Sequence, residues 1–170
     1  KGLIEKEHQW LRGAFAQPDA ALKVEFSNLK ATAGSDLMSA LRRAKRRVAL
    51  WTALCDLAGV WALEEVTEAL SKFADLACQI SLNHALKVQL QRGKIPTRKP
   101  ETDPAGLGMF VLAMGKLGAN ELNYSSDIDL ICFFDESYFA SVDVFEARAG
   151  FIRATKNMAV SYTHLRAHET

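Results

Sequence analysis

Phe110-Val-Leu-Ala-Met-Gly-Lys-Leu-Gly-Ala-Asn-Glu-Leu-Asn-Tyr-Ser-Ser-Asp-Ile-Asp-Leu-Ile-Cys-Phe-Phe134 is the stretch on which the fold turns. Met109 to Ala113 is a short apolar run suited to a buried strand, and Asp127 to Phe134 is another, with a glycine-containing segment between them. Side chains alternate faces along a strand, so a strand from Asp127 would point Asp127 and Asp129 one way and Ile128, Leu130 and Cys132 the other. Two carboxylates converging on one spot repel each other unless cations lie between them. Oxygen ligands of this hardness select Mg²⁺ or Mn²⁺ over zinc. Nucleotidyl or phosphoryl transfer, with metals roughly 4 Å apart clamping the attacking and leaving oxygens, is the natural use of such a pair.

The turn after the first run, Gly115-Lys116-Leu117-Gly118, lets backbone approach a ligand and would open a short helix whose N–H groups favour a phosphate. Gly115, Lys116 and Gly118, with the hydroxyls of Ser125 and Ser126, form the expected nucleotide- or phosphate-binding set. Asp127 and Asp129 form the expected catalytic and metal-binding pair. A dinucleotide fingerprint is a poorer match, because the third glycine of G-x-G-x-x-G is wanting. A strand-initiating Ser-Asp turn is the bland alternative for the carboxylates.

Met114-Gly115-Lys116-Leu117-Gly118, Glu121-Leu122-Asn123 and Ser126-Asp127-Ile128-Asp129-Leu130 together resemble the signature of the glutamine synthetase adenylyltransferases, members of the polymerase-β-like nucleotidyltransferases. The match is dense over about 25 residues, and the regions around Leu41-Arg42-Arg43 and Gly59-Val60-Trp61 resemble the helical segment before that motif. The Glu-Leu-Asn-x-x-Ser-Asp-Ile-Asp-Leu form is more similar to the N-terminal, adenylyl-removing half of such enzymes than to the adenylylating half. The resemblance implies phosphorolysis of an adenylylated tyrosine on glutamine synthetase, with ATP or ADP and inorganic phosphate as small partners, Mg²⁺ (or Mn²⁺) on Asp127 and Asp129, and a nitrogen-signalling regulatory protein as a further partner. ATP-dependent adenylylation and an inactive binding or regulatory fragment are the alternatives. Ala119 stands where the family usually has a second glycine. Asp135, Asp143 and Glu146 fit no strand carrying a third carboxylate, so the chain alone is expected to be inactive. A nucleotidyltransferase for nucleic acid or antibiotics would share Asp-x-Asp without the Gly-Lys-Leu-Gly and Glu-Leu-Asn context.

Upstream, Leu37, Leu41, Ala44, Val48, Trp51, Cys55 and Ala58 trace one helical face, and after Gly59 the stripe Val66, Leu70, Phe73, Ala77, Ile80 and His84 traces a second, ending near Arg92-Gly93. The two helices are expected to form a hairpin-like pair, with His84 a hydrogen-bonded core histidine and Trp51 and Trp61 packing residues. Another helix-compatible stretch lies near Ala20 to Leu29. Arg42, Arg43, Lys45, Arg46 and Arg47 read as a solvated helix face rather than a nucleic-acid grip.

Pro96, Pro100 and Pro104 exclude regular helix and mark an exposed linker. The expected division is a helical region at 1–93, a linker at 94–106, a partial nucleotidyltransferase domain at 107–158 and a tail at 159–170. The fold class expected is α+β: helices first, then β-turn-helix-β with a further helix, its strand edge sticky. His164 and His168 have metal-ligand spacing, but the tail from Ser161 to Thr170 resembles a translated sequencing-adapter read more than native protein.

Lys and Arg number 21 against 20 Asp and Glu, a balance that gives no global pull toward nucleic acid or an anionic membrane. Cys55, Cys78 and Cys132 are odd in number and widely spaced, which fits a reducing cytoplasm without disulfides or zinc. Val48 to Leu63 falls short of the roughly 20 apolar residues of a membrane span. The chain opens at Lys1 and is read as beginning inside a longer protein.

Overall fold

A computed structural model describes residues 2–32, 34–96 and 107–166, the last seven and Ser35 by backbone only. The order is α1 (Leu3–Lys6), α2 (His8–Ala16), α3 (Ala21–Ala31), α4 (Leu37–Leu57), α5 (Leu63–Gln91), β1 (Met109–Met114), α6 (Gly115–Gly118), β2 (Asp129–Phe134) and α7 (Val144–Arg166). The chain is mostly helical with one small two-stranded antiparallel sheet, an α+β fold. It divides into two compact units: residues 1–76 with 119–127, and residues 77–118 with 128–170.

In the first unit the α4 stripe forms as the spacing requires: Leu37, Leu41, Ala44, Val48, Trp51 and Cys55 are buried. Ala58, the last residue of the expected stripe, is exposed because α4 ends at Leu57. Gly59 adopts φ +64, the left-handed turn in which the Val60 N–H reaches back to the Cys55 carbonyl at 2.9 Å. Glu65 starts α5 by accepting the Ala62 N–H at 2.8 Å.

Arg43 is exposed as expected of a solvated face, but Arg46 and Arg47 in the same basic stretch of α4 depart from that expectation. Arg47 donates to Glu7 at 2.8 Å and to Glu25 at 3.0 Å, and Arg46 donates to Glu7 at 3.2 Å. Both carboxylates are buried, and burying a charge is tolerable only beside its counter-charge. The Arg47 guanidinium also lies 5.4 Å from the centre of the Trp10 ring.

The second unit begins within α5. Val66, Leu70, Phe73 and Ala77 are buried as expected, but Ile80 and His84 are only half-buried. From Ser81 onward the buried positions are Ser81, Leu82, Ala85, Leu86 and Gln89, because this part of the helix packs on a different core. His84, expected as a hydrogen-bonded core histidine, therefore sits half-buried at the edge of this face. Gly93 adopts φ +62 and ends the helix, the Lys94 N–H bonding the Gln89 carbonyl at 2.9 Å.

Of the expected proline-rich linker, 97–106 lies outside the described residues; Ile95 is buried in the second core. A Cβ on Gly150 of α7 would collide with Lys94 and Ile95, so that glycine sets how closely α7 approaches this segment. The stripe Ala147, Phe151, Ala154 and Met158 docks α7, and Phe134, Phe139 and Phe151 pack ring to ring within 4.9–6.3 Å. Residues 167–170 of the expected tail lie outside the described residues, while the α7 backbone runs to Arg166.

β1 and β2 pair from Met109↔Phe134 to Met114↔Asp129. Met109, Val111, Leu130, Cys132 and Phe134 pack on the core. Phe110, Leu112, Ile131 and Phe133 cover the other face, partly exposed, with Phe110 and Phe133 stacked at 5.2 Å. No helix among the described residues is long and apolar enough to cross a membrane, and Cys55, Cys78 and Cys132 form no disulfide.

Candidate active site

β2 starts at Asp129, two residues later than the sequence pattern suggests. Its partner strand ends at Met114, opposite Asp129, and Gly115 then turns away with φ +57, so the β1–β2 ladder begins at Asp129, after Asp127 and Ile128. Strand pairing therefore fixes the direction of Asp129 but not that of Asp127. Both carboxylates are exposed, but Asp127 belongs to the segment that compacts with the first unit and Asp129 to the second.

The seven expected site residues fall accordingly into two groups. Gly115, Lys116 and Gly118 stand with Asp129 in the second unit, and Ser125, Ser126 and Asp127 stand in the first. In the second unit, strand pairing brings Gly115 to Asp129: a Cβ on Gly115 would lie 3.9 Å from the Asp129 Oδ2. Positive φ selects glycine there, and the missing side chain leaves backbone beside the carboxylate.

Gly118 has a different task. A Cβ on it would run into the Ala113 carbonyl, so it allows the α6 turn, with buried Leu117, to fold back against the end of β1. Lys116 is exposed on the same turn.

The serines are engaged locally. Asn123 Oδ1 accepts the Ser126 hydroxyl at 2.6 Å and the Ser125 N–H at 3.2 Å, and the Asn123 N–H donates to Ser126 Oγ at 3.3 Å. Asn123 is thus the organiser of the turn that delivers Asp127, a role that Asn's habit of bonding backbone two residues on makes legible in Asn-Tyr-Ser-Ser. Two anchors could not be read from sequence. The Leu122 N–H donates to buried Ser71 Oγ at 3.1 Å, and Tyr124 Oη donates to Asp56 Oδ2 at 3.3 Å. Burial first, then the neighbouring Asp56 carboxylate, pushes the Tyr124 phenol up to about 12.

Among the described residues no group of three or more His, Cys, Asp or Glu side chains is placed to hold a metal ion. Asp135 is engaged locally: its carboxylate accepts the Ser137 N–H at 2.9 Å, a capping bond that holds it below the usual carboxylate range. Asp129 is a hard oxygen donor, and its exposure and the open backbone of Gly115 beside it fit a solvated divalent cation of the Mg²⁺ type.

The family model for glutamate-ammonia ligase adenylyltransferase matches residues 3–163. A bifunctional glutamine synthetase adenylyltransferase/adenylyl-removing enzyme of Bradyrhizobium sp. (strain ORS 278) is 47% identical over 125 residues, covering 74% of this chain and 13% of that protein. The protein of that name in Rhodopseudomonas palustris (strain TIE-1) is 40% identical over 151 residues, 88% of this chain and 15% of the relative. In Agrobacterium fabrum it is 39% identical over 124 residues, 73% and 13% of the two chains. The chain thus spans under a sixth of the length of these relatives, and no solved structure matches it. With its motif residues 114–130 inside a match that runs almost end to end, the chain belongs to the glutamate-ammonia ligase adenylyltransferase family.

Proposed function

We propose that this chain carries part of the adenylyl-removing centre of a glutamine synthetase-regulating enzyme, which transfers AMP from a modified tyrosine to inorganic phosphate and releases ADP. Gly115 held beside Asp129 by the β1–β2 pairing carries this assignment, because it leaves backbone next to a carboxylate where a phosphate and a cation have room. Asp129 beside Gly115 would hold Mg²⁺ or Mn²⁺, which when bound supplies charge neutralisation for the phosphoryl oxygens, and the motif resemblance gives Asp127 the same role. Lys116, exposed on the α6 turn, offers an ammonium to the same anionic group, and the Asn123 turn fixes the backbone that presents Asp127. In the reaction a phosphate oxygen forms a bond to the AMP phosphorus as the tyrosine oxygen leaves, taking a proton.

The relatives' printed name covers both adenylylation and its removal. The Ser126-Asp127-Ile128-Asp129-Leu130 form in its Glu-Leu-Asn context favours removal for this segment. The test is a chimera in which residues 3–163 replace the matching segment of the Bradyrhizobium enzyme. Adenylylated glutamine synthetase and radiolabelled phosphate should then give labelled ADP, and Asp127→Asn or Asp129→Asn should abolish it. Labelled ADP undiminished in both variants would refute the assignment.

A further inference from the structure

In the second unit a cavity of about 280 Å³ is lined by Gln89, Arg92, Lys94, Arg153, Lys156 and Asn157. Four of the six are cations and none is a carboxylate. Among the described residues none of the four cations makes an ion pair. All four are exposed side chains around one open surface cavity, where a bound anion could draw on several cations at once.

The obvious structural role, satisfying the end of α5, is already filled. The carbonyls of Val88, Gln89 and Leu90 accept the backbone N–H groups of Arg92, Lys94 and Gly93 at 2.9–3.2 Å. Of the four cationic side chains, only Arg153 bonds backbone there, at the Lys94 carbonyl.

Arg153 is moreover held in place. Its Nε donates to Oε1 of Gln89 at 3.3 Å and one terminal nitrogen donates to the Lys94 carbonyl at 3.3 Å. Gln89 is only 2% exposed, so it fixes the guanidinium while leaving further N–H donors for a ligand. A pre-positioned arginine fork flanked by lysines is the chemistry that recognises tetrahedral oxyanions.

We propose that this cavity is an anion site for a doubly charged oxyanion of the phosphate type, separate from the Asp127 and Asp129 centre. The cavity volume of about 280 Å³ leaves room for such a group, and the count of cations favours a dianion over a monocarboxylate. It is independent of the functional assignment above, since none of its residues is in the motif.

The test uses the 170-residue chain and inorganic phosphate at constant ionic strength, with sulfate and chloride as comparisons. The Arg153 Nε–H resonance should shift saturably, and the melting temperature should rise, with phosphate and sulfate but not with chloride. Lys156→Glu, an exposed position on α7, should weaken phosphate binding about tenfold or more, as expected for loss of a charged hydrogen bond. The Asp127→Asn/Asp129→Asn double variant should bind phosphate as the parent does. Equal effects of chloride, an unchanged affinity in Lys156→Glu, or loss of the Arg153 response in the double aspartate variant would each overturn the proposal. The first two outcomes mean general screening, and the third places the anion at the motif.

Discussion

The Leu122 N–H donates to the Ser71 Oγ at 3.1 Å, and Ser71 is wholly buried on α5. Leu122 itself is 6% exposed, so its amide has no ready access to water if that hydroxyl is removed. Ser71→Ala should therefore cost about 1–3 kcal/mol, the usual penalty of stranding a buried donor. Thermal unfolding should shift down by several degrees, and the Leu122 amide should exchange faster than in the parent. Unchanged protection of that amide would mean the hydroxyl does not anchor the motif loop.

Glu7 and Glu25 are buried only because Arg46 and Arg47 meet them, so the network should fail unevenly. Arg47→Met leaves both carboxylates short of a partner and should destabilise by about 3–5 kcal/mol in urea. Combining it with Glu25→Gln should recover part of that loss. A double variant as unstable as the sum of the two single losses would contradict the coupling.

Much of the fold was legible because its period is local, and what was missed is long-range. The spacing of Leu41, Val48, Trp51 and Cys55 placed α4 within a residue or two at each end. The same spacing ran on through Ile80 and His84, but α5 changes cores near Leu76, and a change of phase within one helix leaves no mark on its period. Arg46 and Arg47 looked solvated because Glu7 and Glu25 lie 22 to 40 positions away in sequence. Within the site, the glycine turn and β2 were readable. The start of β2 was not, since it depends on where β1 runs out of partners.

Tyr124 gives the first unit an alkaline dependence. Its phenol ionises near 10 when unfolded and at about 12 when folded, so the folded chain holds that proton more tightly. The resulting stabilisation is fully present below pH 10 and is lost as pH rises through about 12. Tyr124→Phe removes the Asp56 contact and this dependence together, so the stability gap between parent and variant should be constant up to pH 10 and close above it. A gap that persists at pH 12 would show that Asp56 and burial do not hold the proton.

Gly115 and Gly118 are alike in sequence but differ in what forbids a side chain, and that difference is measurable. At Gly115 the obstacle is conformational: φ +57 is left-handed, and the nearest atom a Cβ would meet is the Asp129 Oδ2 at 3.9 Å, an ordinary contact. Gly115→Ala should cost about 1–2 kcal/mol, the usual cost of that conformation for an L-residue. At Gly118 the obstacle is the Ala113 carbonyl, backbone of a paired strand that cannot turn aside as a side chain does. Gly118→Ala must therefore move α6 or the end of β1, and should cost more than Gly115→Ala in a urea titration. Because Met114 at that end pairs with Asp129, the shift should also appear in the amide resonances of Asp129 and Leu130. Equal costs for the two substitutions, with the β2 amides unmoved, would mean that α6 does not lean on the strand as the geometry requires.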